Sequence, residues 1–172
     1  MKHLLSALIS ISLLFTLLPA KAQQVKGQCF DIPEETPSDT KVIRKFPKFN
    51  LQMELPENTN AVILTNGSIL IVDRGTYKYL QCLQNNPRAL GRHVIGYLIS
   101  KPKDVKNLLA KGSMKGYRFL MYTPDYSYIA LRLIYKDKAT TDITVFEKFK
   151  GEEKETMDLL YDLSQKVDLI VK

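Results

Sequence analysis

The chain contains only two cysteines, Cys29 and Cys82, and whether they pair constrains the fold more than any other feature of the sequence. Outside the cytoplasm no reducing pool keeps thiols free, so two cysteines in an exported protein are expected to pair. Cys29 and Cys82 offer the only intramolecular pairing. The alternative of a free, reactive thiol has no support from a CxxC motif. We therefore predict a Cys29–Cys82 disulfide if the chain is exported.

The N-terminus predicts export. Lys2 and His3 give a short basic start, residues 4–18 are predominantly apolar, and small residues follow as far as Ala22. This layout is typical of a cleaved secretory signal. As a helix, the apolar run would rise only about 22 Å, whereas the hydrocarbon core of a bilayer is roughly 30 Å thick. We predict that residues 1–22 form a signal peptide cleaved after Ala22, and that the mature protein is periplasmic or secreted.

Length and charge limit the number of domains and the kinds of partner. Removal of the predicted signal from the 172-residue chain leaves the length of one ordinary domain. The formal net charge falls from +7 to +5, because Lys2 and Lys21 leave with the signal. Basic and acidic residues are interspersed along the rest of the chain, so nucleic acid is not a predicted partner. A weak affinity for anionic surfaces of the cell envelope is compatible with this charge.

Two segments follow the predicted signal. Residues 23–41 include "DIPEETPSDTK", which has two prolines and no apolar pattern, so we predict an irregular lead-in. Residues 42–172 are then a single domain.

Apolar runs along this domain predict about five to seven strands. In "FNLQMEL", apolar and polar residues alternate, as in a strand with one buried face. Asn66-Gly67 separates two apolar runs and predicts a hairpin with a type I′ turn. Gly96 suggests a bulge within a further strand. The predicted strands are residues 49–55, 61–64, 68–72, 93–100, 117–123, 126–136 and 142–149.

Three segments have helical patterns. Residues 76–86 fit a short helix, capped by Asp73 or Thr76, better than a strand. Residues 102–112 begin with proline and end with glycine, as compact helices do. The C-terminal segment is amphipathic, with an apolar stripe of Met157, Leu160, Leu163, Val167 and Ile170. We therefore predict an α+β fold, in which helices pack on one face of a single antiparallel sheet.

The motifs of common enzymes and metal sites are missing from the sequence. His93 is the only histidine after the predicted signal, and no GxSxG elbow accompanies it. The sequence has neither GxGxxG nor GxxxxGK[ST], and its cysteines and carboxylates show no metal-site spacing. We predict no catalytic residue, no metal and no cofactor.

Two groups of residues are candidates for binding. Tyrosine and arginine are favoured at interfaces, and Tyr126, Tyr128 and Arg132 lie together on a predicted strand. Arg88, Arg92 and His93 could form a small anion site.

The sequence thus favours a noncatalytic binding or structural module of the cell envelope, whose partner is an unidentified protein or envelope component. Two alternatives stay open. One is a small periplasmic enzyme that uses His93. The other is a ligand carrier with a cavity between sheet and helices.

Overall fold

The structure, a computed structural model, describes residues 29–87, 91–146 and 151–170. The predicted signal peptide, residues 1–22, lies outside these ranges. In the part of the chain that is described, neither helix is long and apolar enough to cross a membrane.

Within these ranges, ten strands form two antiparallel sheets. The strands are β1 (Lys41–Phe46), β2 (Leu51–Pro56), β3 (Thr59–Ile63), β4 (Ile69–Asp73), β5 (Gly96–Ser100), β6 (Leu109–Lys115), β7 (Arg118–Tyr122), β8 (Ile129–Tyr135), β9 (Lys138–Phe146) and β10 (Val167–Leu169). The larger sheet has seven strands in the order β3-β4-β5-β9-β8-β7-β6, and the smaller has three in the order β1-β2-β10. The predicted α+β class with antiparallel pairing is confirmed, but the prediction of a single sheet is wrong.

Two helices cover opposite faces of the seven-stranded sheet: α1 (Arg74–Asn85) and α2 (Glu153–Ser164). Ile71 of β4 packs in one core with Leu160 of α2. Leu70, its neighbour on β4, packs in a second core with Tyr79 of α1. Successive residues of a strand point to opposite faces, so the two helices lie on different sides of the sheet. The prediction that the helices share one face is therefore wrong.

The apolar run of β4 explains this arrangement. Residues 69–72 are all buried, so both faces of this strand must be covered. The alternating strand β2 behaves as predicted from its sequence: Leu51, Met53 and Leu55 are buried and face the core shared with α2.

The predicted Cys29–Cys82 disulfide is confirmed, with the two Cα atoms 5.6 Å apart. Cys29 is fully buried and belongs to the core beneath α1, together with Tyr79 and Val94. The helix predicted at residues 76–86 is confirmed as α1. Of the two predicted caps, Asp73 is the one observed: its Oδ1 accepts a hydrogen bond from the backbone N–H of Thr76. The disulfide therefore holds the start of the described chain against this helix.

The predicted hairpin is confirmed as β3 and β4, but its turn is not of type I′. Gly67 has a left-handed φ of 77°, whereas Asn66 has none. The Asn66 Oδ1 accepts a hydrogen bond from the backbone N–H of Ser68, and the backbone N–H of Gly67 donates to the carbonyl of Leu64. The side chain of Asn66 thus favours a turn that is longer than the two-residue type I′ turn and in which only Gly67 has a left-handed φ.

The predicted helix at residues 102–112 is wrong. The chain there is irregular up to Leu108, and β6 begins at Leu109. The backbone N–H of Lys103 donates to the carboxylate of Asp142. Its carbonyl, which a helix would need, accepts instead from the side chain of Arg132. Asn107 has a left-handed φ of 58°, which also excludes a helix.

The predicted C-terminal helix is shorter than its apolar stripe. It ends at Ser164, and Val167 and Leu169 lie instead in β10, which pairs with β2. Both residues are buried while Asp168 between them is exposed, which is the alternation of a strand. The carbonyl of Val167 accepts hydrogen bonds from the buried guanidinium of Arg118.

The predicted bulge at Gly96 is absent from the described sheet, because Gly96 begins β5 in regular register opposite Phe146. A Cβ atom at this position would lie 2.4 Å from the carbonyl oxygen of Ile71. The glycine thus allows two backbones to approach closely.

Candidate functional site

An apolar cleft opens between the seven-stranded sheet and α2. It has a volume of about 300 Å³. Five strands, α2 and the segment before β1 contribute to its walls. The apolar side chains that line it are Pro37, Leu55, Pro56, Ile71, Val72, Ile95, Tyr97, Val145 and Leu159.

Large apolar side chains lie exposed where the cleft meets solvent. Ile95 is 57% exposed, and Leu159 of α2 is 40% exposed. Isolated exposed apolar residues are ordinary, but these two border the same apolar cavity. The apolar surface of the cleft thus continues to its mouth.

Acidic side chains surround the mouth of the cleft. The guanidinium of Arg74 holds the pKa of Glu35 below its usual range, and the two side chains form an ion pair of 2.9 Å. Burial would raise the pKa of Asp73, but hydrogen bonds from Glu35 and Thr76 outweigh burial and lower it. Glu34 also lines the cleft and has no ion-pair partner among the described residues. The charged side chains that line the cleft, Glu34, Glu35 and Asp73, are therefore all acidic.

Tyr97 provides a hydroxyl on an otherwise apolar wall. Burial raises the pKa of this hydroxyl, and the nearby carboxylate of Asp162 raises it further. The hydroxyl has no hydrogen-bond partner within the described ranges. It is therefore available to donate a hydrogen bond to a molecule in the cleft.

The residues of the predicted tyrosine and arginine surface are largely occupied by the fold. Arg132, whose side chain is 11% exposed, donates from Nε to the fully buried carboxylate of Asp142 at 2.7 Å. The Tyr128 hydroxyl donates to the same carboxylate at 2.6 Å, and burial raises its pKa well above the usual range. Tyr126 lies in the preceding turn, stacked on Tyr122 with ring centroids 5.5 Å apart. Tyr128 and Arg132 are thus joined through Asp142 rather than through a shared solvent-facing surface.

The predicted anion site is described only in part, because Arg88 lies outside the described residues. The guanidinium of Arg92 lies 4.6 Å from the centre of the Tyr79 ring. Its Nε and Nη2 atoms are buried and have no hydrogen-bond partner among the described residues. His93 is half-buried next to it. An anion site shared by Arg88, Arg92 and His93 therefore stays a prediction.

Sequence reasoning anticipated a cavity between sheet and helices as an alternative but named none of its residues. The one signal for the cavity in the sequence is Leu159. This apolar side chain lies outside the stripe of Leu160 and Leu163 that the helix buries in the core. The other lining residues come from separate strands, and only the fold brings them together.

Comparisons with known proteins add no functional label. No protein-family model matches the chain, and neither a curated protein nor a solved structure matches it. Among the described residues, no group of three histidine, cysteine or carboxylate side chains is placed to hold a metal ion.

Proposed function

We propose that this protein is an exported, noncatalytic binding protein that holds one small apolar molecule in the cleft between its sheet and α2. The observation that carries the proposal is the cleft itself, which combines apolar walls with apolar side chains at its mouth. Its volume of about 300 Å³ is at the lower end of the range for ligand sites, roughly 300 to 1,000 Å³. A single short hydrocarbon chain matches this size and chemistry.

The mouth of the cleft favours a particular polar end on that chain. Glu34, Glu35 and Asp73 surround it, and the cations Arg74 and Lys78 both lie beside Glu35. The acidic side chains there repel a carboxylate head and attract an ammonium head, and they do not repel a neutral head. The ligand is therefore an apolar chain with a cationic or neutral polar end.

Export is the second part of the proposal. The disulfide between Cys29 and Cys82 is compatible with an oxidising compartment, where such bonds persist. The sequence of residues 1–22 has the features of a cleaved signal. N-terminal sequencing of the protein recovered from a bacterial periplasm tests this part. A mature chain that starts at Gln23 supports it, and an intact Met1 contradicts it.

The enzyme alternative has less support. His93 does not line the apolar cleft. The envelope-partner alternative relied on an exposed Tyr128 and Arg132, whose polar atoms bind Asp142.

Binding of a neutral fluorescent probe tests the cleft. N-phenyl-1-naphthylamine should bind the folded protein saturably and with one-to-one stoichiometry. Leu159→Glu places a charge at the mouth and should weaken binding by about tenfold or more, since burying an unpaired charge against the ligand costs more than about 1.4 kcal/mol. Tyr161→Glu is the matched control, because Tyr161 is exposed on the same helix but does not line the cleft.

Competition then tests the polar end. Decylamine should displace the probe at lower concentration than decanoate at neutral pH. The absence of saturable binding, or an equal loss in Leu159→Glu and Tyr161→Glu, would overturn the cleft as the binding site. Stronger competition by decanoate would contradict the charge argument alone.

A further inference from the structure

A second cleft lies where β5 ends and the turn before β4 begins. It has a volume of about 270 Å³ and is distinct from the apolar cleft, with which it shares no lining residue. Its polar side chains are those of Lys48, Asn66, Ser68, Ser100, Lys101 and Lys103, and Phe49 and Gly67 complete the lining. The apolar cleft meets β4 and β5 at their opposite ends, at Asp73 and Gly96.

Two serines line this second cleft from buried positions. Ser68 is 8% exposed and Ser100 is 7% exposed. Neither hydroxyl has a hydrogen-bond partner among the described residues. Neither hydroxyl is fully enclosed, so both are open to the cleft and can donate a hydrogen bond to a molecule in it.

Three lysines surround the same space. None of them forms an ion pair with a described residue. Lys48 Nζ donates to the carbonyl of Gly67 at 2.6 Å, which holds this ammonium at the edge of the cleft. Lys103 Nζ lies 5.7 Å from the centre of the Tyr128 ring, and Lys101 is exposed. Three lysines without an ion-pair partner among the described residues therefore line the same cleft as the two serine hydroxyls.

The nearby carboxylate of Asp142 does not cancel this charge. Asp142 lies opposite Ser100 in the sheet. It accepts from Arg132 at 2.7 and 2.8 Å, so the two form an internally neutral pair. Hydrogen bonds from Tyr128 and from the backbone of Lys103 occupy its remaining capacity. The net charge of the cleft is set by its lysines.

From this arrangement we infer that the second cleft binds one tetrahedral oxyanion, phosphate or sulfate, either free or as the terminal group of a larger molecule. The anion accepts hydrogen bonds from the hydroxyls of Ser68 and Ser100. The ammonium groups of Lys48, Lys101 and Lys103 neutralise it. Lysine acts here as a point charge, and the serines supply the direction.

The inference does not depend on the apolar cleft or on its ligand. The two clefts lie at opposite ends of β4, whose five residues span about 15 Å. Either site can be lost by mutation without changing a residue that lines the other.

Titration of the mature protein with inorganic phosphate and with sulfate, followed by NMR, tests the site. One-to-one saturation is expected. The double variant Ser100→Ala, Lys101→Gln should weaken binding by about tenfold or more, because it removes one hydrogen bond to a charged group and one charge. Lys106→Gln is the matched control, since Lys106 is an exposed lysine of the same segment that does not line the cleft. It should change binding by less than about twofold.

Vesicles distinguish a free ion from a lipid head. Vesicles with phosphatidic acid carry a terminal phosphate, whereas those with phosphatidylglycerol carry anionic charge without one. If the wild type binds free phosphate or sulfate and the double variant does not, the ligand is a soluble anion. Binding only to phosphatidic acid, again lost in the double variant, supports a terminal phosphate on a lipid. The inference is overturned if neither form binds, or if Lys106→Gln weakens binding as much as the double variant.

Discussion

The carboxylate of Asp142 accepts hydrogen bonds from Arg132, Tyr128 and the backbone of Lys103. An isolated buried carboxylate is costly, so these hydrogen bonds offset the cost of burying Asp142 inside the fold. The same bonds hold the segment after β5 against the sheet and prevent the helix predicted there. Its sequence does not reveal this role, because an aspartate at the start of "DITVF" is equally typical of a turn or an exposed strand position.

Asp125, in the turn before β8, is expected to titrate far below an ordinary aspartate. Hydrogen bonds from the hydroxyls of Thr123 and Ser127 lower its pKa from 3.8 to about 2. The folded-state pKa is the lower one, so the stabilising contribution is complete above the ordinary pKa and is lost as the pH falls through about 2. Carboxyl NMR should show this pKa directly.

Ser127→Ala should raise the pKa of Asp125 toward 3.8, because the Ser127 hydroxyl donates to its Oδ1 at 2.9 Å. Ser38→Ala, far from this turn in sequence, should leave the pKa unchanged. An unaltered pKa in Ser127→Ala would show that the hydroxyl does not stabilise the charged form.

At the scale of single elements, prediction succeeded where the signal was local. The alternation in "FNLQMEL" predicted β2, and the pairing of apolar runs around Asn66-Gly67 predicted β3 and β4. Asp73 capped α1 as expected, since the cap and the helix are adjacent in sequence. Each of these features depends on contacts within a few residues.

Prediction failed where a distant partner decided the structure. The apolar stripe through Val167 continues the period of α2, but the free edge of β2 and the guanidinium of Arg118 favour a strand there. The cleft was hidden for the same reason. Leu55, Tyr97 and Leu159 are far apart in the sequence, and no local pattern indicates that they share a cavity.

The hairpin between β8 and β9 offers a test of turn geometry. Lys136 and Asp137 link the paired residues Tyr135 and Lys138, and both have left-handed φ angles, 50° and 60°. Glycine adopts this conformation without steric strain. Asp137→Gly should therefore raise the free energy of unfolding by about 0.5 to 1 kcal/mol, measured by urea denaturation.

Asp104→Gly is the matched control for this change. Asp104 is exposed and is not left-handed, so the added freedom of the unfolded chain should leave stability unchanged or lower it. An equal gain in both variants would contradict a strained turn at Asp137.

At the scale of the whole molecule, two cores lie on opposite faces of the seven-stranded sheet. The larger is shared with α2 and the small sheet, and the smaller lies beneath α1 around Cys29. The disulfide belongs to the smaller core and joins residues 53 positions apart. It thus stabilises the part of the molecule that has less apolar packing of its own.

Removal of this disulfide should be strongly destabilising. Closing a loop of this length lowers the entropy of the unfolded chain by an amount worth about 4 kcal/mol in the simple chain model. The double variant Cys29→Ala, Cys82→Ala should lose about that much free energy of unfolding in urea. Reductant should destabilise the wild type and leave the double variant unaffected. A reductant-insensitive wild type would contradict the pairing.

The function proposed here is tested most directly by methyl NMR of the folded protein during titration with decylamine. Ligand in the cleft should shift the methyl signals of Ile71, Val145 and Leu159 and saturate at one equivalent. The methyl signals of Leu80 and Val94, in the core on the other face of the sheet, should not move. Shifts that are largest at Leu80 and Val94, or that never saturate, would contradict the cleft as the binding site.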